Sequence, residues 1–286
     1  MVSSKPEGVK VKFRRMKFDF EETGFDRYWQ RDSPFISLFW GAVSAAFPGG
    51  ESFFIDSCRN VKDQIEDPEL RSEIDQFSQQ EAHHTFQHRK FNKMVGEQGY
   101  DMERNEARFN DAIDFMRERL DDKGMLAMTM ALEHFTAGFA VQYLTNPRIS
   151  KGADPNVSAL WAWHAAEEAE HKATAFDVYN ALGGGYWQRV RMIPTLWLAF
   201  VGITLTNLFF MLKRDGKLWN IVDITRGLWF LLGWRGFISS MIPSFLAYFK
   251  PGFYPWSSPK EAQLIDDWQG VNSKYIDNLE AVIAAA

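Results

Sequence analysis

Residues 164–172 read His164-Ala165-Ala166-Glu167-Glu168-Ala169-Glu170-His171-Lys172, so Glu168 and His171 stand three positions apart. On a helix that spacing turns both side chains to one face, where they can grip one metal ion or two adjacent ions. The same Glu-x-x-His pattern occurs earlier in Glu81-Ala82-His83-His84. One such tetrad carries little weight, because Glu and His are common on solvated faces. Here each tetrad also follows a lone glutamate set among apolar residues. Glu51 lies 30 positions before Glu81, and Glu133, within Ala131-Leu132-Glu133-His134-Phe135, lies 35 before Glu168. Two helices that each offer one Glu, and two that each offer Glu-x-x-His, make up the inward ligand set of a carboxylate-bridged two-metal bundle. The pattern predicts an all-α fold, a four-helix bundle, with Glu51, Glu81, His84, Glu133, Glu168 and His171 as metal ligands.

The chemistry requires this mixture of side chains. Two divalent ions a few ångströms apart need four carboxylates to cancel their charge, and one imidazole each to complete coordination while leaving a position open. Four such carboxylates in an apolar core without an ion would repel one another at high cost. Two metal ions are therefore expected as cofactors, iron first, with manganese or zinc as alternatives.

All six histidines of the chain fall within residues 83–171. His88 follows His84 by four and His164 precedes Glu168 by four, so both share a face with the ligands. Three roles stay open for them: extra ligands, hydrogen-bond partners of ligands, or ordinary buried histidines. In a hydrolytic reaction His88 or His164 would be the general base. Glu167 either orients a ligand histidine of the opposite pair or faces solvent. His83 and His134 each adjoin a ligand and so point off the metal face.

The wider composition sets bounds. A chain of 286 residues with 46% hydrophobic and 15% aromatic residues is not disordered as a whole, and it can bury a sizeable core. Its single cysteine, Cys58, excludes an internal disulfide framework and any cysteine-based zinc or iron–sulfur site, which fits a reducing compartment. A net charge of −5 excludes a general nucleic-acid binder.

Along the chain, residues 1–32 read as a basic arm, without the apolar core and cleavage site of a secretory signal. Residues 33–182 carry the bundle. Apolar periodicity predicts helices from about Ser33 to Ala46, Glu51 to Ile65, Glu69 to Val95, Asn110 to Arg119, Lys123 to Leu144 and Asn156 to Leu182. Pro48-Gly49-Gly50 marks either a helix restart at Glu51 or a kink. Gly183-Gly184-Gly185 then separates two compositions. Residues 1–180 balance at −8 and residues 181–286 at +3.

Region 183–286 is apolar and rich in aromatics. Met192 to Leu212 holds 21 residues without a charge, and at about 1.5 Å per residue these would cover the ~30 Å of a bilayer core. Gly227 to Phe249 is broken only by Arg235, and Trp197, Trp229 and Trp234 suit a membrane interface. Such helices also occur inside large bundles, and Pro194, Gly202 and Asn207 make the first stretch a mediocre span. Of the membrane modes, lying on the surface or entering as a hairpin fits Arg235 better than separate spans.

Segments 47–54, 80–84, 131–136 and 164–172 resemble a bacterial family labelled "predicted metal-dependent hydrolase". The likeness covers most of the chain and implies metal dependence more firmly than hydrolysis. In its ligand set the chain is also similar to the ferritin-like di-iron superfamily, which includes ribonucleotide reductase radical-generating subunits, fatty-acyl desaturases and arylamine N-oxygenases. That resemblance implies an oxidase or oxygenase that uses dioxygen and an electron donor to oxidise a small apolar or lipid-like substrate. The alternative is a hydrolase using a metal-bound hydroxide. A cytoplasmic protein at the inner face of the membrane is expected, with a homodimer as a further candidate assembly.

Overall fold

The computed structural model describes residues 5, 6, 9–18 and 20–256. Parts of the expected arm and of region 183–286 lie outside the described residues. The punctuation seen in the sequence becomes helix boundaries. Pro48-Gly49-Gly50 neither breaks nor kinks a helix but forms the first turn of one, with Pro48 where a missing N–H costs nothing. Glu51 thus sits one turn in from an N-terminus. Asp67, Asp101, Asp121 and Asp154 each accept backbone N–H groups of the helix they precede, closing ends that would otherwise carry orphan donors.

The helices run α1 (Phe20–Thr23), α2 (Pro34–Ser44), α3 (Phe47–Arg59), α4 (Pro68–Glu97), α5 (Met102–Arg117), α6 (Asp122–Thr145), α7 (Pro147–Ser150), α8 (Pro155–His171), α9 (Thr174–Ala181), α10 (Tyr186–Arg214), α11 (Ile221–Leu232) and α12 (Ile242–Ala247). Among the described residues the fold is all-α, with an isolated bridge between Gln30 and Ala153. The four helices that carry the expected ligands pack in a closed ring: α3 on α4, α4 on α8, α8 on α6, and α6 on α3.

Several expected boundaries shift: the helix expected over Asn110–Arg119 already begins at Met102, and that expected over Glu51–Ile65 runs Phe47–Arg59. The helix expected over Asn156–Leu182 ends at His171 and restarts at Thr174, so the chain turns directly after a ligand. The apolar stretch 227–249 is not one helix. It leaves α11 at Gly233, turns through Arg235 at φ 57, and re-forms as a short 3-10 turn and α12. A non-glycine residue at positive φ ends a helix, which apolarity alone does not reveal.

The interior divides into two main apolar clusters. One centres on Trp40, Phe91, Phe139, Trp161 and Trp163, the other on Phe53, Phe77, Leu126, Phe176 and Ile193. The arm lies along α4. Gln76 accepts from Phe13 N at 2.9 Å, Gln87 donates to Met16 O at 2.8 Å, and Met16 and Phe18 are buried in the first cluster.

α10 packs against α2, α5 and α6. It is long and apolar enough to cross a membrane, yet a third of that stretch is buried against the rest of the protein. In its C-terminal half, Asn207 accepts from Arg108 at 2.9 Å and donates to Asn105 O at 3.1 Å, which ties the helix to the charged helix α5. α11 lies so close to α2 that a Cβ on Gly227 would fall 2.0 Å from Phe35. Buried Asp223 of α11 accepts from Ser33 Oγ at 2.5 Å and from Phe35 N at 2.8 Å, closing the start of α2.

Asp223→Ala leaves those two buried donors unsatisfied, at a cost of about 1–3 kcal/mol. Thermal melting should show a lowered Tm for this variant with metal content unchanged. An unchanged Tm would mean that Asp223 does not fasten α11 to α2.

Candidate metal centre

The ring of helices brings all six expected ligands together, each 2% exposed or less. Glu168 Oε1 sits among three imidazoles, 3.0 Å from His164 Nε2, 3.6 Å from His171 Nε2 and 3.8 Å from His84 Nδ1. Glu81 lies between the two tetrad histidines, 3.0 Å from His171 Nε2 and 3.9 Å from His84 Nδ1. Glu133 stands on the His171 side at 3.4 Å, and Glu51 on the His164 side at 3.7 Å. The arrangement is two shared carboxylates at the centre and one at each end. Two donor groups are close enough to hold an ion: Glu51, His84 and His164, and Glu81, Glu168 and His171.

The six residues test well against a metal pair. Buried polar atoms are almost always hydrogen-bonded. Yet Glu51 Oε1, both oxygens of Glu81, His84 Nδ1, both oxygens of Glu133, Glu168 Oε2 and His171 Nε2 are buried without a hydrogen-bond partner. Every expected ligand contributes at least one such atom, and they face one another. Donors that point inward at each other fit cations held between them.

The groups behind these ligands follow a repeated rule. The residue before the glutamate of each tetrad binds the histidine of the other. Glu167 lies 3.1 Å from His84 Nε2, and Gln80 Oε1 lies 3.0 Å from His171 Nδ1. Gln80 in turn donates to Glu170 Oε2 at 2.9 Å. From the arm, Arg14 reaches Glu170 through both terminal nitrogens at 2.6 and 3.0 Å, and Glu167 at 3.5 Å. Such partners fix ring orientation and tautomer, leaving the other ring nitrogen for a metal. Glu167 therefore takes the first of its two open roles.

His88 and His164 belong to a directed chain. Asn92 Nδ2 donates to Glu106 Oε1 at 2.8 Å and to Ser44 O at 3.3 Å, so its Oδ1 accepts the Ser44 hydroxyl proton at 2.6 Å. Ser44 Oγ must then accept from His88 Nδ1 at 2.8 Å. His88 Nε2 is left to accept from His164 Nδ1 at 2.6 Å. Burial, with neighbouring imidazoles, holds both rings below the usual histidine range, so both are neutral. His164 Nε2 thus turns a lone pair toward the oxygens of Glu168 and Glu51. A lone pair facing carboxylates is stable only with a cation between them. His83 is bonded to the backbone of Met16, and His134 to Ser244 O at 2.9 Å, both away from the centre.

Aromatic rings close the surroundings. Phe47 lies 4.5 Å from the His88 ring and 4.6 Å from that of His164, Trp163 lies 4.8 Å from His84, and Phe77 lies 4.9 Å from His171. A cavity of about 540 Å³ runs from Glu51 and Glu168 between α3, α5, α6 and α10, lined mainly by side chains such as Phe54, Phe109, Met128, Leu132, Phe135 and Phe200. His88 and His164 do not line it. Gln80, Glu170, Arg14, Ser44 and Asn92 escaped the sequence reading. The position preceding each tetrad was a signal for Gln80, whereas the others are joined to the site only by the fold.

Residues 12–258 match the family described as "predicted metal-dependent hydrolase". No curated protein and no solved structure matches the chain.

Protons occupy the centre when metal does not. Burial, reinforced by neighbouring carboxylates, pushes Glu51 and Glu133 well above the carboxylate range. Burial also disfavours charge on Glu81 and Glu168, but the His171 imidazolium overrides it and holds both low. Against burial, the Glu167 carboxylate that accepts from His84 and the nearby Glu81 carboxylate raise His84 to about 10, and Glu133, Glu168 and Glu81 raise His171 well above its ordinary value. In the metal-free centre these shifts favour the protonated forms of Glu51, Glu133, His84 and His171, so binding divalent ions must displace protons. Affinity accordingly rises with pH and is lost as pH falls. Calorimetric titration of metal into metal-free protein, in buffers of different ionisation enthalpy, measures the release. Metal binding without proton release would contradict the assigned donor set.

Proposed function

This chain belongs to the family of predicted metal-dependent hydrolases, and we propose that it is a two-metal hydrolase cleaving an ester or amide bond of a small apolar substrate. One observation carries the substrate class: the largely apolar cavity of about 540 Å³ ends on two of the proposed metal ligands, Glu51 and Glu168. An acyl chain lying against Phe54, Leu132, Phe135 and Phe200 would place its polar end at the centre, driven by burial of apolar surface.

When bound, two divalent ions would supply Lewis acidity and bring a water molecule closer to ionisation near neutral pH. The chain's own residues do the rest. Glu51 would hold an ion through Oε1, because Thr85 Oγ1 already occupies its Oε2 at 2.8 Å. Glu81 and Glu168 would hold the ions together with Glu133 and His171 on one side and Glu51, His84 and His164 on the other. His88 lies behind His164 and off the cavity, so it would orient that ring rather than act as the base. Phe47, Trp163 and Phe77 would exclude bulk water from the ligands.

The second reading, oxidation of the same substrate class with dioxygen and an electron donor, has one observation in its favour. Besides its carboxylates, the cavity lining offers polar groups only at Arg108, Thr136 and Thr195, and Arg108 is engaged by Asn105 and Asn207. A wall so poor in donors gives a developing oxyanion little support beyond the metal. The family description favours hydrolysis.

Protein loaded in turn with zinc, manganese or ferrous iron should hydrolyse p-nitrophenyl esters without oxygen, with kcat/KM rising as the acyl chain lengthens. Glu51→Gln should lower metal affinity and kcat together, each at least about tenfold. No ester turnover with any metal, together with substrate-dependent oxygen uptake by the iron form, would overturn hydrolysis in favour of oxidation.

A further inference from the structure

Among the described residues of 181–256 there are eight basic side chains, Arg189, Arg191, Lys213, Arg214, Lys217, Arg226, Arg235 and Lys250, and two acidic ones. Both acids are committed internally. Asp223 is buried against Ser33 and Phe35, and Asp215 takes hydrogen bonds from Tyr28, Tyr100 and Arg27. Every charge that this region exposes is therefore positive.

The same region presents an apolar helix face that none of the described residues covers. α11 buries Gly227, Phe230 and Leu231 toward the protein. On its outer side Ile221, Val222, Leu228, Trp229 and Leu232 are 46–72% exposed. Trp219 before it and Trp234 after it are 87% and 80% exposed. An outer face of this kind, with tryptophans at both ends, suits an interface between water and hydrocarbon. Twelve residues extend only about 18 Å, too short for a bilayer core of ~30 Å, so α11 would lie in the plane of the surface.

A pocket adjoins that face. Arg31, Arg148, Lys151 and Arg235 line it together with Trp229 and Trp234, and no carboxylate does. Arg31 and Arg235 both hold positive φ, at 56 and 57, an arrangement that costs a non-glycine residue energy and that the surrounding fold maintains. Arg31 is pinned by donating to Lys151 O at 2.9 Å and to Arg148 O. Four cations, with Arg31 held in place among them and no carboxylate in the lining, form a receptor for an anion such as a phosphodiester.

We propose that α11 and its flanking tryptophans dock on the surface of an anionic lipid bilayer, with the Arg31, Arg148, Lys151 and Arg235 pocket receiving a lipid headgroup phosphate. The tryptophans and the aliphatic face enter the headgroup boundary, and the exposed arginines and lysines of 181–256 meet the negative surface around them. The inference does not depend on the reaction at the metal centre.

Flotation of the full chain with phosphatidylcholine vesicles, with and without phosphatidylglycerol, tests this. Binding should be at least about tenfold stronger with phosphatidylglycerol and should weaken with salt. Arg148→Glu with Arg235→Glu should abolish the preference for anionic vesicles. Trp229→Ser with Trp234→Ser should reduce binding to both vesicle types, each variant keeping the wild-type circular dichroism spectrum. Glu133→Ala should bind vesicles like the wild type, which separates this proposal from the metal reading. Failure of the wild-type chain to float with anionic vesicles would overturn the proposal. So would binding of inorganic phosphate at the pocket without vesicle binding, or a dimer by light scattering that the tryptophan substitutions dissociate while vesicles remain unbound.

Discussion

Four glutamates buried at one point cannot all carry charge in an apolar interior unless cations stand among them, and that constraint organises the structure. In the metal-free protein, protons and imidazolium groups do the neutralising, and the centre is left with buried donor atoms that no hydrogen bond satisfies. Two divalent ions would cancel four carboxylates and give those atoms partners. The ring of α3, α4, α8 and α6 is the scaffold that holds the donors at the required separation. The turn at 172–173 ends α8 directly after His171, its last ligand.

Around the ligands lies a layer that sets direction rather than charge. Glu167 and Gln80 occupy equivalent places in the two tetrads and each orients the histidine of the other, so α4 and α8 fix one another's ligands. Arg14 of the arm closes this layer on the Glu167 and Glu170 side. The Glu106–Asn92–Ser44–His88–His164 chain carries orientation inward from a half-exposed carboxylate. An amide in the chain makes it a device for fixing tautomers more than for moving protons. His164 is set apart from an ordinary buried histidine by this chain, since its outer nitrogen is left with a lone pair facing Glu168.

Much of this was legible in the residues. The two Glu-x-x-His tetrads and their preceding glutamates located four helices and six side chains that the fold does assemble. Helical phase also placed His83 and His134 away from the cluster. Local pattern could not show which arginine would reach Glu170, or that Ser44 and Asn92 would meet His88, because those contacts join segments distant in sequence. The apolar C-terminal third misled in a different way. Composition alone could not reveal that Asn207 ties the C-terminal half of α10 to α5, or that Arg235 turns the chain so that 227–249 cannot be one helix. α10 remains long and apolar enough to cross a membrane, with a third of that stretch buried, and the shorter α11 lies beside a cluster of cations.

The central claim, that the buried Glu and His residues form a two-metal site, is tested most directly by elemental analysis of the purified protein and of its Glu133→Ala variant. The account predicts about two transition-metal ions per chain in the wild type, and markedly fewer in a variant that remains folded. Wild-type protein that takes up no metal after incubation with iron, manganese or zinc, or a Glu133→Ala variant that retains both ions, would contradict it.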